Sequence, residues 1–144
     1  MDTMWRSLDG LPCDPPARFF VIADPGEEAL PDTCLREVAS KAAQEAWMST
    51  HQDQYWIAED IIHDRSDSHR FCVGTLFAGY SSDDGIVVYA TVITAVHEEN
   101  QLITDFVSAD HLEEAKRNHS QIVHQVVTLL AEMYGEEPVR LTCK

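Results

Sequence analysis

The sequence predicts an α+β fold: an antiparallel β-meander sheet with two helices packed on one face, in the order β-α-β-β-β-β-α-β. Three observations predict it. Arg70–Tyr80 (RFCVGTLFAGY) and Ile86–Val96 (IVVYATVITAV) are long β-branched and aromatic runs on either side of Ser81-Ser82-Asp83-Asp84-Gly85, a hairpin signal. The short polar turn His97-Glu98-Glu99-Asn100 returns the chain into a further strand over Gln101–Val107. Beyond it, Leu112, Ala115, His119, Ile122, Val126, Leu129 and Met133 recur at spacings of three and four, the stripe of an amphipathic helix.

The elements follow in order. Residues 1–17 mix Asp, Pro and Gly with the anchors Trp5, Leu8 and Leu11, and read as a strap over a single domain spanning 18–144. Arg18–Asp24 (RFFVIAD) is a strand stopped by Asp24-Pro25-Gly26. A helix is expected from an Asp32 or Thr33 cap to about Ser49, because Leu35, Val38, Ala39, Ala42, Ala46 and Trp47 share helical spacing. Tyr55–Ile62 (YWIAEDII) fits a helix or a strand; the strand is favoured because it leaves His63–His69 as a loop into the next one. Gly74 and Gly79 mark a bulge or a close approach by a helix. Asp110 with Glu113 suggests a capping box for the last helix, Gly135 ends it, and Val139–Cys143 adds a final strand. Trp5, Trp56, Phe71, Phe77 and Tyr89 are expected to supply the sheet face away from the helices.

The chain has 144 residues and a formal net charge of −15, which disfavours direct nucleic-acid binding, and its densest basic stretches are single pairs such as Lys116-Arg117. Apolar content of 44% is too high for an acidic disordered tail. No apolar run approaches the ~20 residues of a membrane helix, and no signal-peptide pattern is visible at the start. Cys13, Cys34, Cys72 and Cys143 form no CxxC pair, and reduced thiols in a cytoplasmic protein are expected.

No nucleotide-binding, hydrolase or metalloprotease motif occurs, and no cofactor is implied. Strand reversal puts the His63–His69 loop and the His97–Asn100 turn at one end of the sheet. His63, His69 and His97 then stand near Asp64, Asp67, Glu98 and Glu99, a set suited to metal or acid–base chemistry or simply to solvated loops. The opposite end collects Asp83, Asp84, Ser108 and Asp110, for a cation, a partner or a plain turn and cap. Cys34, in the first turn of its predicted helix, reads as a small buried residue, with a nucleophilic role needing a nearby histidine. His119, on the apolar stripe, is either a satisfied core histidine or a buried pH-sensitive contact.

Charge is uneven along the chain: residues 1–50 net −5, residues 51–100 net −7 and residues 101–144 net −3. The expectation is therefore a non-catalytic binder of a basic protein partner, of inhibitor, immunity, anti-defence or client-chaperone type. Asp64, Asp67, Glu98, Glu99, Glu59 and Asp60 would supply charge, with Tyr55 and Trp56 as anchors. The alternative is a small enzyme or ligand-binding domain using His63, His69 and His97, and a homodimer through the open sheet face is a third option.

Overall fold

A computed structural model describes residues 18–31, 33–82, 85–97 and 100–144, apart from the side chains of 82, 97 and 100–104. The segment 1–17 read as a strap, together with Asp83, Asp84, Glu98 and Glu99, lies outside the described residues. The fold is α+β, a curled antiparallel sheet with helices. Its elements are β1 (Phe19–Ile22), β2 (Leu35–Val38), α1 (Lys41–Thr50), the one-turn α2 (Gln52–Tyr55), β3 (Trp56–His63), β4 (Arg70–Ser82), β5 (Gly85–His97), β6 (Asn100–Ala109), α3 (Leu112–Tyr134) and β7 (Val139–Thr142).

The long strand β4 organises the sheet. One edge pairs with β5, which carries β6. The other edge is shared: Arg70–Leu76 pairs with β3, and Tyr80 pairs with Phe19 at the start of β1. β7 then adds outside β3, and β2 outside β1.

The first predicted helix is corrected at its start. Leu35-Arg36-Glu37-Val38 is a strand, and α1 begins after Ser40, whose Oγ accepts the Ala43 N–H at 3.1 Å. Leu35 and Val38 sit three apart, so they satisfy helical spacing, but Leu35 is buried while Glu37 reaches across to Arg18, just before β1. Pairing with the otherwise open edge of β1 overrides the local preference. Cys34 consequently precedes a strand and is exposed. At the other helix, the N-cap is His111 in extended geometry with no side-chain bond, so Asp110 makes no capping box. Gly135 does close α3, at φ +69° with its N–H on Ala131 O. The strand reading of Tyr55–Ile62 is the one seen, as β3.

Both long helices cover one face. Trp47 and Met48 of α1 pack with Phe20, Val21, Leu35, Phe77 and Tyr89, while Ile122, Val123, Val126 and Leu130 of α3 pack on Ile62 and Val73. Phe71, Phe77 and Tyr89 thus belong to the helix side, against expectation, because alternation along β4 puts Phe71 and Phe77 on one side with Val73 and Thr75, and Tyr89 of β5 pairs with Phe77. Trp56 is on the far side, with Leu76, Ala78 and Tyr80, and its ring lies over Gly74.

Gly79 marks the expected bulge. Pairing with β5 slips between Phe77 and Tyr80, Gly79 has φ +62°, and a Cβ there would meet Phe20 O and the Phe77 ring at 2.6 Å. The bulge turns carbonyls inward, and fully buried Gln44 of α1 answers them. Its Nε2 lies 2.8 Å from Phe20 O, 3.2 Å from Ala78 O and 2.6 Å from Gly79 O.

Candidate functional site

The β3–β4 loop is built around Asp64. Its Oδ1 accepts the His69 N–H at 2.6 Å, its Oδ2 accepts the Ser66 hydroxyl, and its N–H donates to His69 O at 3.3 Å. Burial pushes this carboxyl up, but the hydrogen bonds from Ser66 and the backbone outweigh it and bring the pKa down to about 2. Asp64 is 2% exposed, so it is not part of the contact surface expected of it. Asp67 is exposed, with φ +56°, and holds Arg70 through two bonds of 3.2 and 3.0 Å.

His63 donates Nδ1–H to Asp64 O at 2.7 Å, which fixes its tautomer, and His69 Nδ1 is bonded to the Tyr134 hydroxyl of α3. The register His63↔Arg70↔Val96 confirms that the β3–β4 loop and the β5–β6 turn share one end of the sheet. The C-terminus of α3 lies there as well, with Arg65 beside Glu136. His97 stands at this end by backbone position. Among the described residues no three His, Cys, Asp or Glu side chains converge as metal ligands.

The other expected contact residues are not gathered with these. Tyr55 ends α2 and Trp56 opens β3, roughly 25 Å from its far end at strand rise, and both are half-buried. Glu59 is half-buried on the face away from the helices, beside Cys72 and Cys143. Asp60 is corrected outright: alternation with Ile62 turns it inward, and it is 2% exposed.

Asp60 anchors a buried chain of polar groups. Its Oδ2 accepts His119 Nε2–H at 2.6 Å, and its Oδ1 accepts Arg140 Nε–H at 3.0 Å and the Thr142 hydroxyl at 2.7 Å. His119 Nδ1 lies 2.8 Å from Thr75 Oγ1, itself 2.7 Å from Thr91 Oγ1. Burial raises the Asp60 carboxyl, yet the bonds from Arg140, His119 and Thr142 win and hold it below its usual value. The order hydroxyl–imidazole–carboxylate is that of a nucleophilic triad, but Thr75 is 0% exposed. The arrangement ties α3 to β3, β4 and β7. Sequence reasoning singled out His119 but missed its partner; the available signal was the strict alternation Ala58, Asp60, Ile62 on the core face.

A cavity of about 730 Å³ lies at the opposite end, between β2, β5 and the start of α3, lined by Thr33, Cys34, Leu35, Ile86, Val88, Asp110 and His111. The Thr33 hydroxyl is occupied by Leu30 O and the Leu35 N–H, leaving Cys34, Asp110 and His111 as its polar rim. No described helix is long and apolar enough to cross a membrane. Compared with protein-family models, curated proteins and solved structures, the chain matches none.

Proposed function

We propose that this chain is a non-catalytic binder that occludes a basic macromolecular partner, as an inhibitor, immunity, anti-defence or client-chaperone protein does. One observation carries the reading: seven of the ten lysines and arginines already stand beside an acid. Arg18, Arg36, Arg65, Arg70, Lys116, Arg140 and Lys144 each lie within 4 Å of a carboxylate. Exposed Asp24, Glu28, Asp110, Glu132 and Glu137 have no basic side chain in that range among the described residues, in a chain of net charge −15. Such a surface draws in cationic partners and speeds encounter.

The docking end is that of Asp67, Glu136 and Glu137, and Glu98 and Glu99 join β5 to β6 in the sequence. Tyr55 and Trp56 would serve only a partner long enough to span β3. The test is capture from a cognate lysate on immobilised protein at low salt, followed by association kinetics on the basic protein recovered. Asp67→Lys with Glu136→Lys should slow association about tenfold at low salt, a difference that closes as salt is raised. Recovery of nothing at low salt, or unchanged kinetics in the double variant, overturns the proposal.

The cavity favours a second reading, a small-ligand domain, because its volume falls in the usual range and its floor is apolar. That reading moves the ligand away from His63, His69 and His97. Protection of the Cys34 thiol from alkylation by a bound alkylammonium probe supports it, and unchanged alkylation at millimolar probe removes it.

A further inference from the structure

We propose that Asp60 is an acid-sensitive latch: a single buried carboxylate fastens both α3 and β7 to β3, and its protonation releases β7 while the rest of the sheet stays folded. β7 is four residues long and edge-placed, and Arg140, Leu141 and Thr142 are exposed. Among the described residues it pairs with β3 alone, in the register Asp60↔Thr142 to His63↔Val139. Two of the three side-chain donors to Asp60 come from β7, namely Arg140 and Thr142, and the third is His119 of α3. Among the described residues, the strand's side chains therefore find their buried polar anchor in a group whose charge depends on pH.

The surroundings reinforce this. The ionisable groups facing Asp60 are Arg140 from β7 and His119 from α3, with the thiols of Cys72 on β4 and Cys143 just after β7 also within its field. β4 and β5 otherwise present only the hydroxyls of Thr75 and Thr91 towards His119. A protonated Asp60 gives up the charge that Arg140 pairs with, and its new O–H must find an acceptor where three donors converge. The sign follows: the carboxyl is held below its unfolded value, so the grip is complete above that value and is lost as pH falls through the folded one. α3 keeps its apolar footing on Ile62 and Val73, whereas β7 has none comparable. Acid then bares the outer edge of β3.

Hydrogen exchange on the full chain tests the latch, read as protection factors from about pH 6 to about pH 2.5 so that intrinsic rates drop out. The β7 amides and the Cys143 N–H, which donates to Glu59 O, should lose protection about tenfold, the order of one lost hydrogen bond to a charged group, before the β4–β5 amides change. Asp60→Asn should show that loss already at neutral pH and no further acid step in β7. Should that variant fail to fold, Arg140→Met and Thr142→Val each remove one donor from the exposed strand and should move the release to higher pH. Three results overturn the proposal: β7 protection that persists to the acid limit, β7 and β4–β5 opening together, or donor variants that leave the release pH where it was.

Discussion

Gln44→Met removes the clamp under the β4 bulge while keeping the side chain's length. The wild-type Nε2 faces three carbonyls, of Phe20, Ala78 and Gly79, at 2.6–3.2 Å. It carries two hydrogens, so it serves two of them at a time. Each buried carbonyl left without a donor costs about 1–3 kcal/mol, or roughly 2–6 kcal/mol for two. Part of this is returned, because Gln44 Oε1 is buried without a partner and the thioether abolishes that orphan, a relief of about 1–3 kcal/mol. The net expectation is a loss of about 1–3 kcal/mol. In urea at a slope of about 2 kcal/mol/M, the unfolding midpoint should fall by about 0.5–1.5 M with the slope unchanged. An unchanged or raised midpoint refutes the reasoning, since it means either that the bulge carbonyls find other donors or that the orphan oxygen dominates.

Gly79→Ala should cost more than about 2 kcal/mol in thermal unfolding, combining a positive φ with contacts at 2.6 Å, whereas Gly26→Ala, at φ +92° in open space, should cost only about 1–2 kcal/mol. Alkylation followed by mass spectrometry should modify exposed Cys34 before Cys72, whose thiol is pushed up to about 11 by burial and by Glu59; faster labelling of Cys72 contradicts the placement. Asp64, held near 2, stabilises its loop above the normal carboxylate range and loses that contribution between about pH 4 and pH 2. Its Asn variant should therefore flatten the pH dependence of His69 amide exchange in that window, and an unaltered profile rules the loop geometry out.

What could be read from the residues, and what could not, divides along a physical line. The meander and α3 are legible because their patterns run for ten residues or more, long enough for one period to prevail. β2 was hidden because four residues, Leu35 to Val38, satisfy a helical spacing as well as a strand alternation, and a distant strand, β1, decides between them. Phe71, Phe77 and Tyr89 were assigned to the wrong face because alternation fixes which residues share a side but not which side the helices cover. In the candidate site, the shared end of the sheet follows from chain reversal alone. Which acids point outward does not: the donors that turn Asp60 inward, His119 and Arg140, come from distant elements, and those around Asp64, Ser66 and the His69 N–H, converge on it only once the β3–β4 loop has closed.

The inward turn of Asp64 changes its expected part in binding rather than ending it. A carboxylate with a pKa near 2 is ionised at neutral pH, and its donors, Ser66 and backbone N–H groups, carry no formal charge to cancel it. Its field therefore reaches a cationic partner as an exposed acid's would, screened over about 10 Å at moderate salt. Docking strips no water from it, because its oxygens are already bonded within the protein. Asp67 is different: it is exposed, paired with Arg70, and must exchange that partner to make a new one. On the proposed binding reading, Asp64→Asn should lower the association rate at low salt with little change in dissociation. Asp67→Asn should act mainly on dissociation. Measured on the same partner by surface plasmon resonance, the reverse pattern would mean that Asp64 contacts the partner directly and that the loop opens on binding.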